Sequence, residues 1–180
     1  AALARARLTF DEALLLQLIL AQRKSELQSI PATPRPVKSI GLVSEFESQL
    51  PFTFTDGQKE VSAEIEADMS NVHPMNRLLQ GEVGSGKTVV ALRAMLATVD
   101  NGGQAALLAP TEVLALQHFS TINRILGPLA AAGTLGGSEH GTRVALLTGS
   151  MSAATKHEVL SEISSGAAGI VIGTHALLSE

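Results

Sequence analysis

The chain has 180 residues, of which 45% are hydrophobic and 17% charged, and its formal net charge is −4. This composition is that of one globular domain with room for a short appendage, and it excludes a chain that is disordered throughout. Without cysteine there is neither a disulfide framework nor a thiolate zinc site, which suits a reducing cytoplasm. The acidic balance excludes a domain that attracts nucleic acid through a strongly basic surface.

The first fifty residues predict a helix and a linker in front of the main domain. Thr9-Phe10-Asp11-Glu12 has the form of a capping box, so we expect a helix from Thr9 to about Gln28. Its apolar residues nearly encircle it between Ala13 and Leu20, which predicts burial against more than one surface, and this stretch is too short to span a membrane. An extended linker over residues 30–40 is predicted from Pro31, Pro34 and Pro36.

From residue 51 to residue 180, strands and helices alternate. We expect helices over 55–69, 88–99, 111–126 and 152–165, a glycine-rich loop up to Gly141, and strands over Arg77–Gln80, Ala105–Ala109, Arg143–Leu147 and Gly169–Ile172. The apolar run Ala105–Ala109 suits a strand buried on both faces. Regular alternation predicts right-handed crossovers and therefore an α/β fold, a parallel sheet flanked by helices, with residues 1–50 as a helical appendage.

A glycine-rich segment between a predicted strand and a predicted helix carries the chemistry. It reads Gly81-Glu82-Val83-Gly84-Ser85-Gly86-Lys87-Thr88, a complete match to the phosphate-loop pattern. Gly84 and Gly86 let the backbone N–H groups curl around phosphate oxygens, and the helix after them turns its positive end toward the same anion. Lys87 is expected to reach the β- and γ-phosphates, and the Thr88 hydroxyl to ligate Mg²⁺. The segment predicts a purine nucleotide site, with ATP favoured.

Gln58 is a second candidate for the nucleotide site. Thr55-Asp56-Gly57-Gln58 is a capping box, so Gln58 can serve simply to begin the helix. Its amide can also donate to and accept from the edge of adenine, which guanine would not satisfy equally. Phe52 and Phe54 are candidates to pack against the base or to fill the core. The sequence leaves these alternatives open.

Several segments resemble, in order, the motifs of the first motor lobe of superfamily 2 helicases, and within them the RecG family of bacterial DNA helicases. The matching segments are Leu50-Pro51-Phe52, residues 55–58, residues 74–88, residues 109–118, Leu147-Thr148-Gly149-Ser150 and residues 170–177. The resemblance covers nearly the whole chain and implies a RecA-like lobe with ATP and Mg²⁺ as cofactors. Glu82 departs from the aspartate usual in that family.

The resemblance also implies a nucleic-acid partner. It implies branched or forked DNA, such as stalled forks and Holliday junctions, remodelled in recombination and repair. The residues that would line the DNA track follow three strands: Pro110, Thr111, Thr148, Gly149, Ser150, Gly173, Thr174 and His175. Backbone N–H groups and hydroxyls in such turns can bind phosphate, although each turn is also explained as a helix cap. Glu112 is acidic and is expected to hold its loop together rather than touch DNA.

Alternatives remain at the level of the sequence. A transcription-repair coupling translocase shares the fold and motif order, whereas a P-loop small-molecule kinase, or a nucleotide-binding module without activity, explains the phosphate loop but not the later turns. By the resemblance, an acidic Mg²⁺-binding motif, a second motor lobe and a wedge domain complete the parent enzyme and are not found in these residues. We therefore expect the 180-residue fragment to be inactive alone, as ATPase and as helicase.

Overall fold

The computed structural model describes residues 2–133, 137–138 and 140–178, with side chains from residue 5 onward. The helices are α1 Ala2–Ser29, α2 Leu42–Gln49, α3 Asp56–Met69, α4 Lys87–Asp100, α5 Glu112–Leu126 and α6 Ala153–Ser164. The strands are β1 Ala105–Leu108, β2 Arg143–Leu147 and β3 Ala168–Gly173. Four predicted helices and three predicted strands therefore exist, each within one residue of its predicted ends. Part of the glycine-rich loop, residues 134–136 and 139, lies outside the described residues.

The described strands form one parallel sheet in the order β1–β3–β2. The central strand β3 is buried along its whole length. Leu108 of β1 and Leu147 of β2 both pair with Gly173 of β3, so the three strands end at the same level. The predicted α/β fold with a parallel sheet is confirmed.

The core lies between this sheet and helices α2, α4 and α5. Its largest fully buried side chains are Val43, Phe46, Leu92, Leu96, Ile122, Leu126, Ile170 and Ile172. Two of them, Val43 and Phe46, belong to α2, which the sequence analysis did not predict. The predicted domain boundary near residue 50 therefore does not coincide with a gap in the packing, and the division into two units stays a prediction.

The proline-rich segment before α2 is held against the end of α4. The Asp100 carboxylate accepts hydrogen bonds from the N–H groups of Leu42 (2.8 Å) and Val43 (3.2 Å), which begin α2. The Asn101 side chain donates to the Pro36 carbonyl at 2.8 Å, and Arg35 donates to the Thr98 carbonyl. Asp100 thus supplies the helix cap that Gly41, which has no side chain, does not.

The predicted strand Arg77–Gln80 is wrong. Residues 74–82 pair with no described strand, and Leu78 is 80% exposed. A strand exists through its ladder of hydrogen bonds, and an apolar run without a neighbour does not form one. The segment is instead fixed by Arg77, which pairs with Asp68 (2.7 Å) and Glu64 of α3.

The prediction that β1 is buried on both faces is also wrong. Its side chains alternate between partly buried and exposed, and Leu108 is 46% exposed. The reason is position, because β1 lies at the edge of the described sheet whereas β3 lies at its centre. An apolar run predicts burial on both faces only for a strand at the centre of the sheet.

The predicted start of α1 is wrong, and the surfaces expected to bury the helix do not lie within the described residues. The helix begins at Ala2 rather than at a cap on Thr9, whose hydroxyl donates to the Arg5 carbonyl one turn earlier at 3.0 Å. Its side chains are exposed along the described part of the helix, including Phe10 at 57% and Leu15 at 65%. The apolar residues that encircle α1 thus contact no described surface that would bury them. In the part of the chain that the structure describes, no helix is both long enough and apolar enough to cross a membrane.

We predict that Asp100→Ala lowers the free energy of unfolding by about 1–2 kcal/mol, the usual cost of losing a side chain that caps a helix. Equilibrium unfolding in urea measures the change. Glu60→Ala is the control, because it removes an exposed carboxylate of α3 that has no hydrogen-bond or ion-pair partner among the described residues. It should change the free energy of unfolding by less than about 0.5 kcal/mol. Equal stability of the two variants would show that α2 does not depend on Asp100.

Candidate functional site

The phosphate-loop segment turns sharply before α4. Gly84 and Gly86 have φ angles of +83° and +82°, a left-handed conformation that glycine adopts without strain. Helix α4 begins directly after them, at Lys87. In its first turn the Val89 and Val90 N–H groups donate to the Gly86 carbonyl, whereas those of Lys87 and Thr88 have no hydrogen-bond partner among the described residues and lie at the positive end of the helix dipole. This loop can therefore offer several N–H groups to one anion.

Lys87 brings a positive charge to the same place. Its Nζ donates to the carbonyls of Gly81 and Glu82, both at 2.8 Å, so the side chain lies across the start of the loop. Thr88 is the next residue of α4 and is partly buried. Among the described residues, no group of three or more His, Asp or Glu side chains could hold a metal ion. These residues fit a phosphate chain, and the Thr88 hydroxyl fits one ligand position of Mg²⁺.

Gln58 joins α3 to the phosphate loop. Its Oε1 accepts from the Thr55 N–H at 3.0 Å, which completes the predicted capping box, and its Nε2 donates to the Ser85 carbonyl at 2.8 Å. A Cβ at Gly86 would collide with this Nε2. The φ angle therefore favours glycine at position 86, and a side chain there would also move the Gln58 amide away from the loop. The capping role of Gln58 is confirmed, whereas its reading of adenine stays a prediction.

A cavity of about 280 Å³ lies between α3 and the loop and is lined by Gln58, Gly81, Lys87 and Val90 among others. The two phenylalanines line a separate cavity of about 600 Å³. Phe54 packs against the core, whereas Phe52 is 48% exposed. Of the two candidates for stacking on a base, the structure leaves Phe52 available.

The three turns that follow the strands lie side by side. Because β1, β2 and β3 are parallel and end at one level, residues 110–111, 148–150 and 174–175 share one edge of the sheet. Helix α4 precedes β1 and runs back along the sheet, so its N-terminus, with the phosphate loop, lies at this edge as well. Ligands of open α/β sheets bind at this edge.

The candidate DNA-track residues differ in how accessible they are. Pro110, Thr111, Gly149, Ser150 and His175 are exposed and Thr174 is partly buried, whereas Thr148 and Gly173 are buried. The Thr111 hydroxyl accepts from the Leu114 N–H at 3.3 Å, so the capping explanation holds for this residue. The DNA-binding assignments themselves stay predictions.

Glu112 connects two of these turns. Its carboxylate accepts from the Ser150 hydroxyl at 2.6 Å and from the Ser150 N–H at 2.9 Å. These bonds, with smaller contributions from the Gly149 N–H and the Lys156 charge, hold the pKa of Glu112 below its ordinary value of 4.5. The expectation that Glu112 holds its loop together agrees with this geometry.

Lys156 is a residue that the sequence analysis missed. It lies on α6, and its Nζ donates to the Gly149 carbonyl at 2.8 Å. No motif marks it, and the only available signal was a lysine in the first turns of the helix that follows residues 148–150. The turn is thus held by a carboxylate on one side and an ammonium group on the other.

Comparison with known proteins agrees with this geometry. A family model described as DEAD/DEAH box helicase matches residues 55–180. The chain belongs to the DEAD/DEAH box helicase family. It is also 57% identical to the ATP-dependent DNA helicase RecG of Mycobacterium tuberculosis, over 98% of this chain and 24% of that protein. RecG of Streptococcus pneumoniae is 42% identical over 97% of this chain and 24% of that protein.

A solved structure of RecG bound to a three-way DNA junction has the same fold. It superposes with a TM-score of 0.82 at 38% identity, over 97% of this chain and 22% of that chain. The resemblance to RecG that the motifs indicated is confirmed. This family member spans about a quarter of the length of the curated relatives that it matches.

We predict that Gly86→Ala weakens ATP binding on the order of tenfold or more, a loss of about 1.4 kcal/mol or more, because the methyl group displaces Gln58 from the loop. Gly102→Ala is the matched control, since Gly102 has a φ of +74° but open space around its Cβ position. Each variant should lose about 1–2 kcal/mol of stability through its left-handed backbone. Calorimetric titration with ATP should separate them, and equal affinity in both variants would contradict the role of position 86.

We predict a pH-dependent contribution of Glu112 to stability. Because its folded pKa is lowered, the contribution is fully present above 4.5 and is lost as the pH falls through the folded value. Glu112→Gln removes this titration. Thermal unfolding midpoints of the wild type and the variant should differ above pH 4.5 and converge only as the pH falls through the lowered folded pKa. Parallel curves would show that the carboxylate does not supply the difference.

Proposed function

We propose that this chain is the ATP-binding motor lobe of a DNA helicase that remodels branched DNA, such as stalled forks and Holliday junctions, in recombination and repair. The observation that carries the proposal is the shared edge of the sheet, where the three turns begin side by side. The order α4–β1 brings the phosphate loop toward the same edge. A nucleotide on the loop and a strand of DNA on the turns would be held by one rigid unit. The similarity to RecG proteins, including one bound to a three-way DNA junction, supports this choice of substrate.

The residues of the loop have distinct roles in this proposal. The N–H groups of the loop and of the first turn of α4 hold phosphate oxygens, and Lys87 donates to the β- and γ-phosphates. The Thr88 hydroxyl would hold Mg²⁺, which when bound neutralises charge on the phosphates. Gln58 would read the edge of adenine with its remaining hydrogen-bonding capacity while it keeps Ser85 in place, and Phe52 would stack on the base.

We propose that the activity belongs to the whole protein. The closely similar relatives are about four times as long as this chain, and in the family that it resembles a second motor lobe and a wedge domain act with the first lobe. This lobe would contribute the phosphate loop and one side of the DNA track. Of the described residues, Thr88 would contribute one ligand to Mg²⁺.

A P-loop small-molecule kinase is disfavoured by one feature. Such an enzyme needs the phosphate loop, but it gives no reason for two further turns to be tied together by Glu112 at the same edge. A helicase lobe gives that reason, because DNA must lie across several turns at once.

We predict that Lys87→Ala reduces ATP hydrolysis about a hundredfold or more, since the lysine stabilises charge on the transferred phosphoryl group. The assay uses the protein encoded by the complete reading frame, with and without forked DNA. Lys24→Ala removes an exposed lysine of α1 and should leave hydrolysis unchanged. DNA binding without nucleotide should survive in both variants. Absence of stimulation of the wild type by forked DNA would favour the kinase alternative.

A further inference from the structure

Glu112 directly follows residues 110–111, one of the turns proposed to bind DNA. Its carboxylate is negatively charged and is therefore a poor ligand for phosphate. Both of its oxygens accept hydrogen bonds from Ser150, one from the hydroxyl and one from the N–H group. The carboxylate stays ionised, and its charge is stabilised by these hydrogen bonds and by the charge of Lys156. Its oxygens are thus committed to the turn at residues 148–150.

We propose that Glu112 is a positioning residue that fixes the separation of two DNA-contacting turns, residues 110–111 and residues 148–150. This inference rests on the proposed function of the lobe as a DNA helicase motor. In it, Ser150 acts through Glu112 rather than as a direct phosphate ligand, because its hydroxyl and its N–H are both committed to the carboxylate. The exposed backbone of residues 148–150 and the turn at residues 110–111 remain to bind DNA.

The sheet order gives this contact its importance. The two turns follow β1 and β2, which are the outer strands, and the turn after β3 lies between them. Neither outer strand contacts the other, so backbone hydrogen bonds of the sheet do not join their ends directly. The hydrogen bonds between Glu112 and Ser150 join the two outer turns directly.

The turn at Gly149 is built to accept the carboxylate. A Cβ at this position would lie 3.2 Å from Glu112 Oε1, closer than side-chain packing normally allows. On the other side, Lys156 holds the Gly149 carbonyl at 2.8 Å. The turn is therefore fixed between opposite charges, and its orientation is set before DNA arrives.

The experiment measures binding of forked DNA and DNA-stimulated ATP hydrolysis by the protein encoded by the complete reading frame. The variants are Glu112→Ala, Ser150→Ala and their combination. Glu158→Ala is the matched control. It removes an exposed carboxylate of α6 that has no hydrogen-bond or ion-pair partner among the described residues. Glu112→Gln keeps an acceptor oxygen for the Ser150 N–H and tests partial rescue.

We expect Glu112→Ala to raise the DNA concentration for half-maximal ATP hydrolysis about tenfold, while the KM for ATP stays unchanged. The double variant should be no worse than Glu112→Ala, since both changes break one contact. Glu112→Gln should fall between the wild type and Glu112→Ala, and Glu158→Ala should not weaken DNA binding.

Three results would overturn the proposal. Tighter DNA binding by Glu112→Ala would show that the carboxylate blocks N–H groups that phosphate would otherwise use. A rise in the KM for ATP equal to the loss of DNA affinity would show general damage to the lobe. If the wild type is not stimulated by DNA, the proposed function itself fails; if it is stimulated and Glu112→Ala is unaffected, only this inference fails.

Discussion

The parallel pairing of three strands that end at one level is the constraint on which the site depends. Leu108 and Leu147 both lie opposite Gly173, so the turns that follow them begin side by side. A Cβ at Gly173 would collide with the Leu147 carbonyl, and glycine there keeps the strand ends close. Helix α4 returns along the same sheet and brings the phosphate loop to this edge. The register of the three strands therefore sets the positions of both the phosphate loop and the turns proposed to bind DNA.

The sequence was sufficient for most signals that act over a few residues, although the predicted cap at Thr9 is an exception. The hydroxyls of Thr55, Thr111 and Ser152 each cap the helix that was predicted to begin beside them. The glycines of the phosphate loop adopt the left-handed angles that their spacing implied. Local geometry could not decide whether Gln58 caps its helix or reads adenine. Gln58 caps its helix and also holds Ser85, a contact that needs the tertiary fold.

The failures concern what lies beyond the local chain. Arg77–Gln80 has an apolar strand pattern but no described neighbour to pair with, and β1 has an apolar pattern but lies at the edge. Helix α2 was missed because its cap, Asp100, comes 58 residues later in the chain. The apolar positions of α1 predicted burial, yet nothing in the described chain covers them. Pairing, sheet order and partner surfaces are properties of the assembled fold, which a periodic pattern does not contain.

An acidic chain can bind nucleic acid if its carboxylates already interact with other groups of the protein. Arg93 pairs with Glu47 and Glu66, and the charge of Glu112 is met by N–H groups and a hydroxyl. The edge of the sheet then presents neutral donors rather than a basic surface. Such donors orient a phosphate backbone but displace few of its counterions, so they add less salt-dependent affinity than lysine or arginine would. On the proposed function, this lobe would therefore position the DNA, and affinity would depend more on basic residues outside these turns.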